Sequence, residues 1–339
     1  MTLPLATTLL PYLEQAELSQ VSMIAALTQG LSNQNYYVRG VHPSRLSDSE
    51  WVLRINSWAS SQICNRDHEV LNWQLASRVN LAPELVYISP DKQFYLSEFF
   101  AQNQENGWSE LISANGSHPI TRLQVKWPGA EELLLNLLNG LKQLPAPQNV
   151  MGVDEQWQVY QLRLAKMQQQ LNALDEKSQT VERWLDLYGQ LLAESHLIDE
   201  MLAVLSNCLV NLQFSHRDLN PYNVLVVDDK LKCIDFEYAC SSHPLCDLAS
   251  VIASHSLSSQ QRRWLIANYL KDHPNLNQQA DKAVPAAVDL YWVFALCWAL
   301  QMAFDSMIAN GKLNEKGLSQ SREYLSYALQ YRDLIVCRF

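Results

Sequence analysis

The chain has 339 residues, of which 48% are hydrophobic and 18% charged, so it can bury a large core and does not resemble a disordered chain. Its formal net charge of −10 argues against nucleic-acid binding, because an acidic surface repels a phosphate backbone. The seven cysteines include no C-x-x-C pair, which argues against a zinc ribbon and favours reduced thiols.

The first hundred residues predict an antiparallel sheet with one inserted helix. Residues 5–29 are interpreted as one or two short helices broken near Pro11, and residues 41–50 as a polar hairpin connection. Strands are predicted at residues 36–38, 51–55, 85–88 and 94–96, and a helix at residues 67–79.

The rest of the chain is predicted to be mainly helical, with one small hairpin. Long helices are expected at residues 131–144, 159–174 and 181–210, and the hairpin at residues 223–235. We therefore predict an α+β fold with two units, residues 1–100 and residues 101–339.

The sequence predicts neither a signal peptide nor a membrane-spanning helix. The N-terminus has no basic region before an apolar run, so no signal peptide is predicted. The longest apolar stretch, residues 290–304, is short for a membrane span and typical of a buried helix. We expect a cytoplasmic protein without a membrane span.

The segment that indicates chemistry has the pattern H-R-D-x-x-x-x-N, from His216 to Asn223, and is followed by a strand. Asp235 comes at the end of the next strand, within Ile-Asp-Phe-Glu. The same spacing defines the catalytic loop of phosphoryl-transfer enzymes. The alternative is a capped turn, in which Asp218 and Asn220 form local turns before a hairpin.

Each residue of the pattern suits one task in phosphoryl transfer. Asp218 can meet the attacking hydroxyl as base or orienter. Asn223 and Asp235 offer oxygen ligands to Mg²⁺, a hard ion that takes few protein ligands together with substrate phosphates. The hairpin brings both ligands to the same end of the loop.

The motif from His216 to Leu225, together with Ile-Asp-Phe-Glu-Tyr at residues 234–238, resembles the aminoglycoside phosphotransferase and choline kinase superfamily. The last five residues resemble choline and ethanolamine kinases and bacterial thiamine kinases. The resemblance implies a protein-kinase-like bilobed fold, ATP and Mg²⁺ as cofactors, and a small-molecule alcohol as substrate.

The resemblance also implies roles for residues outside the motif. Residues 30–33 resemble a nucleotide loop, Arg54 stands where protein kinases keep a lysine, and Glu69 resembles its ion-pair partner. Asp247 matches an aspartate that supports the catalytic loop. The alternatives without a functional role are an ordinary turn glycine for Gly30, a solvent-facing strand residue for Arg54 and a surface acid for Glu69. The implied nucleotide-binding residues are Gly30, Ser32, Asn33, Arg54, Glu69 and Glu98.

The sequence departs from protein kinases. It has no G-x-G-x-x-G or A-P-E motif, and Glu237 replaces the glycine of D-F-G. Glu237 is interpreted either as a ligand of a second metal or of the substrate, or as a structural acid.

Aromatic residues near the C-terminus bear on the substrate. Trp292 and Trp298 lie in an aromatic helical segment, and aromatic rings attract quaternary ammonium groups. Core packing is the alternative. Choline, ethanolamine or a similar amine alcohol is the leading substrate class, with thiamine, an aminoglycoside or a non-catalytic ATP-binding role as alternatives.

Overall fold

Five antiparallel strands and two helices form the described N-terminal part of the protein, and the strands lie in the order β1-β2-β3-β5-β4. The computed structural model describes residues 3–27, 33–57, 61, 64–102, 108–111, 127–309 and 312–336. The strands are β1 (Ser19–Leu27), β2 (Gln34–His42), β3 (Arg45–Ile55), β4 (Leu85–Ile88) and β5 (Phe94–Glu98), with helices α1 (Leu3–Gln15) and α2 (Arg66–Arg78).

Helices dominate the remainder of the described chain, as the sequence predicted, and the α+β fold class is confirmed. The helices are α3 (Ala130–Lys142), α4 (Val153–Asn172), α5 (Gln179–Ala193), α6 (Ser195–Cys208), α7 (Leu245–Ser254), α8 (Ser259–Leu270), α9 (Ala280–Met307) and α10 (Leu318–Asp333). The short strands are β6 (Gln213–Ser215), β7 (Val224–Val227), β8 (Lys230–Cys233), β9 (Cys240–Ser242), β10 (Ile308–Ala309) and β11 (Lys312–Leu313).

Side-chain alternation along β3 directs Arg54 toward the helical part. Trp51 and Leu53 are fully buried in a core formed with α1. Because successive strand residues point to opposite faces, Arg54 lies on the other face, where it reaches Asp235. This face of the sheet therefore carries the polar side chains of the site.

The predicted hairpin at residues 223–235 is confirmed as β7 and β8. Asp228 and Asp229 form its turn and both have positive φ, +49° and +58°. Two consecutive residues in this region match a type I′ turn, whose twist suits a two-residue hairpin.

Three sequence expectations are corrected. Residues 19–27, expected to be helical, form β1, because pairing with β2 across residues 24–27 overrides helical propensity. The connection between β2 and β3 is only Pro43 and Ser44. The helix expected at residues 181–210 is two helices, which meet at Glu194.

Helix α9 crosses the centre of the helical part. Within the described residues, it alone is long and apolar enough to cross a membrane by length and composition. In its most apolar window 67% of the residues are buried inside the protein. Its packing is therefore that of a core helix, and no membrane span is indicated.

Candidate active site

Asp247, in the first turn of α7, holds the loop that follows β6. Its Oδ1 accepts hydrogen bonds from the Ser215 hydroxyl at 2.8 Å and the Arg217 amide at 2.7 Å, and its Oδ2 accepts one from the His216 amide at 3.0 Å. Arg217 has a positive φ of +69°. The three bonds offset this unfavourable backbone conformation, so Asp247 supports the loop as the resemblance implied.

The His216 ring contacts both the Asp218 loop and the segment that follows β8. Its Nε2 lies 3.0 Å from the Ile234 carbonyl oxygen, and its Nδ1 accepts from the Asp218 amide at 3.4 Å. Burial lowers the pKa of His216 to about 4, so the ring is neutral at pH 7. The neutral ring with a proton on Nε2 satisfies both contacts. His216 thereby joins the loop to the strand that leads to Asp235.

The Asp218 carboxylate is held by two side-chain amides. Asn220 Nδ2 donates to Oδ1 at 2.9 Å, and Asn223 Nδ2 donates to Oδ2 at 2.8 Å. Burial raises the pKa of Asp218 to about 6, while these two bonds oppose the rise. Asn220 also forms the local turn that was weighed as the alternative, so the turn and the catalytic pattern coexist.

Asn223 and Asp235 are brought together by the hairpin. The Ile234 amide donates to the Asn223 carbonyl oxygen at 3.0 Å, so Asp235 follows directly beside Asn223. Asp235 has a positive φ of +68°, which turns its side chain out of the strand direction. Burial raises the pKa of Asp235, the charges of Glu237 and Glu69 add to the rise, and Arg54 opposes it.

Arg54 and Glu69, predicted as an ion pair, lie together in the structure. Arg54 Nη2 is 2.9 Å from Glu69 Oε1, and both side chains are almost fully buried. Arg54 also contacts Asp235 at 3.3 Å and Glu237 at 2.6 Å. The three carboxylates keep its guanidinium protonated, although burial alone would lower its pKa.

Arg66 is a second buried arginine in this cluster, and sequence reasoning missed it. Its Nη1 lies 2.6 Å from Glu69 Oε2 and 3.0 Å from Glu237 Oε1. Arg66 opens α2 three residues before Glu69, a spacing that places the two side chains on one helix face. That spacing was the available signal. Glu237 is thus neutralised by both arginines.

The remaining predicted nucleotide-binding residues fall in different places. Asn33 Nδ2 donates to Glu237 Oε1 at 2.6 Å, and its Oδ1 accepts from the Ser57 amide at 3.1 Å. Gly30 and Ser32 lie outside the described residues. The Glu98 carboxylate bonds to Arg45 and to the Glu84 amide, so its side chain is engaged within the sheet.

The donor set of the site fits a hard divalent cation. Carboxylate oxygens of Glu69, Asp235 and Glu237 lie within 4.8 Å of one another. Asn223 uses its Nδ2 toward Asp218, which leaves the amide oxygen as its metal-ligand atom. Oxygen donors of this kind are those that Mg²⁺ prefers. Cys64 Sγ lies 3.9 Å from Glu69 Oε2, and burial raises the pKa of this thiol, which disfavours the thiolate that would bind a metal.

Aromatic residues of α9 and α10 form a ladder of ring contacts. Trp292 stacks on Tyr331 at 5.6 Å between ring centroids, whereas Trp298 packs edge-on against Tyr324 at 5.7 Å, further along the ladder. Burial raises the pKa of Tyr331 to about 12, and the charges of Tyr327 and Asp218 add to the rise. Trp292 therefore packs against Tyr331, whose pKa the Asp218 charge raises, and Trp298 packs against a different tyrosine of α10.

Two further tyrosines whose pKa values the Asp218 charge raises were missed by sequence reasoning. Burial raises the pKa of Tyr291, and the charge of Asp218 adds to it. Burial likewise raises the pKa of Tyr238, with contributions from Glu237, Asp218 and Asp235. Tyr238 directly follows the Ile-Asp-Phe-Glu run, and Tyr291 precedes Trp292, so adjacency to a predicted residue was the signal.

Solved structures with a similar fold include the ethanolamine kinase of Plasmodium vivax, with a TM-score of 0.60, 15% identity, and coverage of 93% of this chain and 85% of that chain. The choline kinase LicA of Streptococcus pneumoniae aligns with a TM-score of 0.56 and 13% identity, over 97% of this chain and 98% of that chain. These likenesses show the protein-kinase-like fold.

A sequence relative is the protein LicA of Haemophilus influenzae, which is 25% identical over 249 residues. The match covers 71% of this chain and spans 60% of that relative. The family model described as "phosphotransferase enzyme family" matches residues 24–278, three quarters of the chain. The chain therefore belongs to the phosphotransferase enzyme family.

Proposed function

We propose that this protein transfers the γ-phosphate of ATP to the hydroxyl of a small cationic amine alcohol, with choline as the leading acceptor, in the cytoplasm. The observation that carries the proposal is the pairing of Asp218 with two amide donors, together with an aromatic ladder in which the Asp218 charge raises the pKa of Tyr331. The hydroxyl of such an acceptor would meet Asp218, and its cationic group would meet the aromatic rings.

Asp218 is the proposed base. An ionised carboxylate has about four acceptor positions, and Asn220 and Asn223 use two of them. The others remain for a substrate hydroxyl. The hydroxyl proton moves to Asp218, the hydroxyl oxygen forms a bond to the γ-phosphorus, and the bond from that phosphorus to the β–γ bridging oxygen breaks, releasing ADP.

Asp235 and Asn223 would hold Mg²⁺, which neutralises phosphate charge when bound. Arg54 is suited to the remaining phosphate charge, because its planar guanidinium can donate two parallel hydrogen bonds. Glu69 holds Arg54 by an ion pair and is itself held by Arg66. Fixed charges that need no rearrangement during transfer supply much of the rate in such sites.

Support for a cationic acceptor comes from charge and aromatic content together. Tyr291 and Tyr331, whose pKa values the Asp218 charge raises, both pack against Trp292, and an aromatic face attracts an ammonium group by about 0.5–2 kcal/mol. The net charge of −10 favours a cation over an anion at long range. The resemblance to LicA and to an ethanolamine kinase points in the same direction.

The test is ADP release from Mg-ATP in the presence of choline, ethanolamine, thiamine, a sugar alcohol or kanamycin. Asp218→Asn should abolish stimulated release while ATP binding stays nearly unchanged, because the base touches the acceptor and not the nucleotide. Asp228→Asn is the matched control, since Asp228 is an exposed turn residue of the same hairpin and asparagine accepts its positive φ.

Stimulation by choline that is lost only in Asp218→Asn supports the proposal. Stimulation by thiamine or kanamycin instead would move the assignment to that acceptor. Tight ATP binding with no stimulation by any alcohol would favour a non-catalytic ATP-binding regulator.

A further inference from the structure

Asn220 lies two residues after Asp218 and uses both polar atoms of its side chain. Its Oδ1 accepts from the Tyr222 amide at 2.9 Å, which forms a local turn at the start of the short 3₁₀ helix Pro221–Asn223. Its Nδ2 donates to Asp218 Oδ1 at 2.9 Å. The turn fixes the amide, and the amide then points at the carboxylate.

The carboxylate of an aspartate has a broad, roughly two-fold torsion about its last bond, so its plane is not fixed by rotamer preference. Asn223 holds only Oδ2 of Asp218, at 2.8 Å. A single bond leaves the plane free to swing about that contact. The Asn220 bond at the other oxygen removes this freedom, and with it the acceptor positions of Asp218 acquire defined directions.

The backbone supports the same arrangement. The Asn223 amide donates to the Asn220 carbonyl oxygen at 2.9 Å, and Asn223 Nδ2 also reaches the Asp218 carbonyl oxygen at 3.0 Å. Asn220 is therefore linked to both ends of the loop that carries Asp218 and Asn223. Leu219 and Pro221, on either side of Asn220, are buried and anchor the loop backbone, whereas Tyr222 is 55% exposed.

We infer that Asn220 is a positioning residue for phosphoryl transfer, which orients the Asp218 carboxylate toward the acceptor hydroxyl through its side-chain amide. This inference rests on the proposed function of Asp218. Asn220 acts through Asp218, so its loss should lower the rate of transfer and leave the binding of ATP and of the acceptor unchanged.

The turn and the amide bond can be separated by substitution. In Asn220→Ser the hydroxyl can still accept from the Tyr222 amide, since serine is as good a helix cap as asparagine and forms the same turn, although more weakly. The serine side chain is one heavy atom shorter and cannot also reach Asp218. Asn220→Ala loses both contacts.

Asn277 provides a matched control. Its Oδ1 accepts from the Gln279 amide at 2.9 Å in the same kind of turn, and its Nδ2 donates to the Asn207 carbonyl oxygen at 2.8 Å. These contacts involve none of the site residues, so Asn277→Ser should leave kcat unchanged.

The experiment measures kcat and KM for ATP and for the acceptor that stimulates wild-type ADP release. We expect kcat to fall about 10- to 100-fold in both Asn220→Ser and Asn220→Ala, the loss expected for one hydrogen bond to a charged group, with both KM values unchanged. Wild-type kcat in Asn220→Ser would overturn the inference, because the turn alone would then be sufficient.

A second measurement does not depend on activity, and so separates this inference from the proposed function. Crystal structures of the wild-type protein and Asn220→Ser should show the Asp218 carboxylate in one orientation in the former and rotated, or in two conformers, in the latter. An identical Asp218 orientation in both would overturn the inference, even if the acceptor proves not to be choline.

Discussion

Arg54 Nη1 lies 3.3 Å from Asp235 Oδ1, so the cation proposed to meet phosphate and the carboxylate proposed to meet Mg²⁺ contact each other directly. Arg54 is also held by Glu69 at 2.9 Å and by Glu237 at 2.6 Å. Binding of Mg-ATP must therefore redistribute the charges of a group that is already paired.

The first prediction concerns Arg54→Gln. Removing the positive charge beside Asp235 should strengthen binding of Mg²⁺ alone by about tenfold, and weaken binding of ADP by at least as much, because phosphate loses its cation. Isothermal titration calorimetry with each ligand separately measures both effects. Arg39→Gln, which removes an exposed arginine paired with Asp48 on the sheet, is the control. Weakened binding of both ligands would contradict the charge assignment.

The second prediction concerns pH. Burial raises the pKa of Asp218 to about 6 from the usual 3.8, and the base must be ionised to accept a proton. Activity should therefore be full above about pH 7 and fall as the pH drops through 6, about tenfold per unit below that. The profile of kcat/KM from pH 4.5 to 8.5 reports this limb, with fluorescence at each pH to confirm that the protein stays folded. A limb below pH 5 would mean that Asp218 is not the titrating base.

The third prediction concerns the acceptor site. Tyr331→Leu should raise KM for choline about fivefold, since it removes one aromatic contact of about 1 kcal/mol, and leave KM for ATP unchanged. Tyr327→Leu is the control for packing, one turn earlier on α10: the Tyr327 hydroxyl donates to Glu323 at 2.8 Å, and its ring stacks on Tyr331 at 6.5 Å. Equal effects of the two substitutions would indicate loss of packing within the ladder.

The fourth prediction concerns Arg66. Arg66→Met should lower the free energy of unfolding by about 3 kcal/mol, because Glu69 and Glu237 remain buried with less positive charge nearby. Urea denaturation measures the change. The double variant Arg66→Met/Glu237→Gln removes one of the two stranded charges and should recover part of the loss. An additive loss in the double variant would show that the two residues do not compensate each other.

The centre of the site was predictable from sequence because its parts are local. Asp218, Asn223 and Asp235 fall within one loop and one hairpin, and the turn at Asp228 and Asp229 sets the register that brings them together. The Arg54–Glu69 pair was predictable only through the family resemblance. Strand alternation alone predicts which face of the sheet Arg54 lies on, but not which residue of the helical part it contacts.

The parts that sequence reasoning missed depend on contacts between distant segments. Arg66 and Glu237 are separated by 171 positions, and Tyr331 meets Trp292 only because α10 folds back along α9. The sequence predicts a helix at residues 19–27, where the structure has β1, because the pairing partner of this segment, not its own composition, determines its conformation.

The sequence by itself determined the class of chemistry and the hairpin that follows the His216–Asn223 pattern, because the spacing of acid and amide residues around a hairpin has few other uses. Only the tertiary structure decided how the buried charges are compensated and which aromatic residues of α10 pack against Trp292. Those relations depend on how the sheet and helices pack against each other, and on side-chain directions that no local pattern encodes.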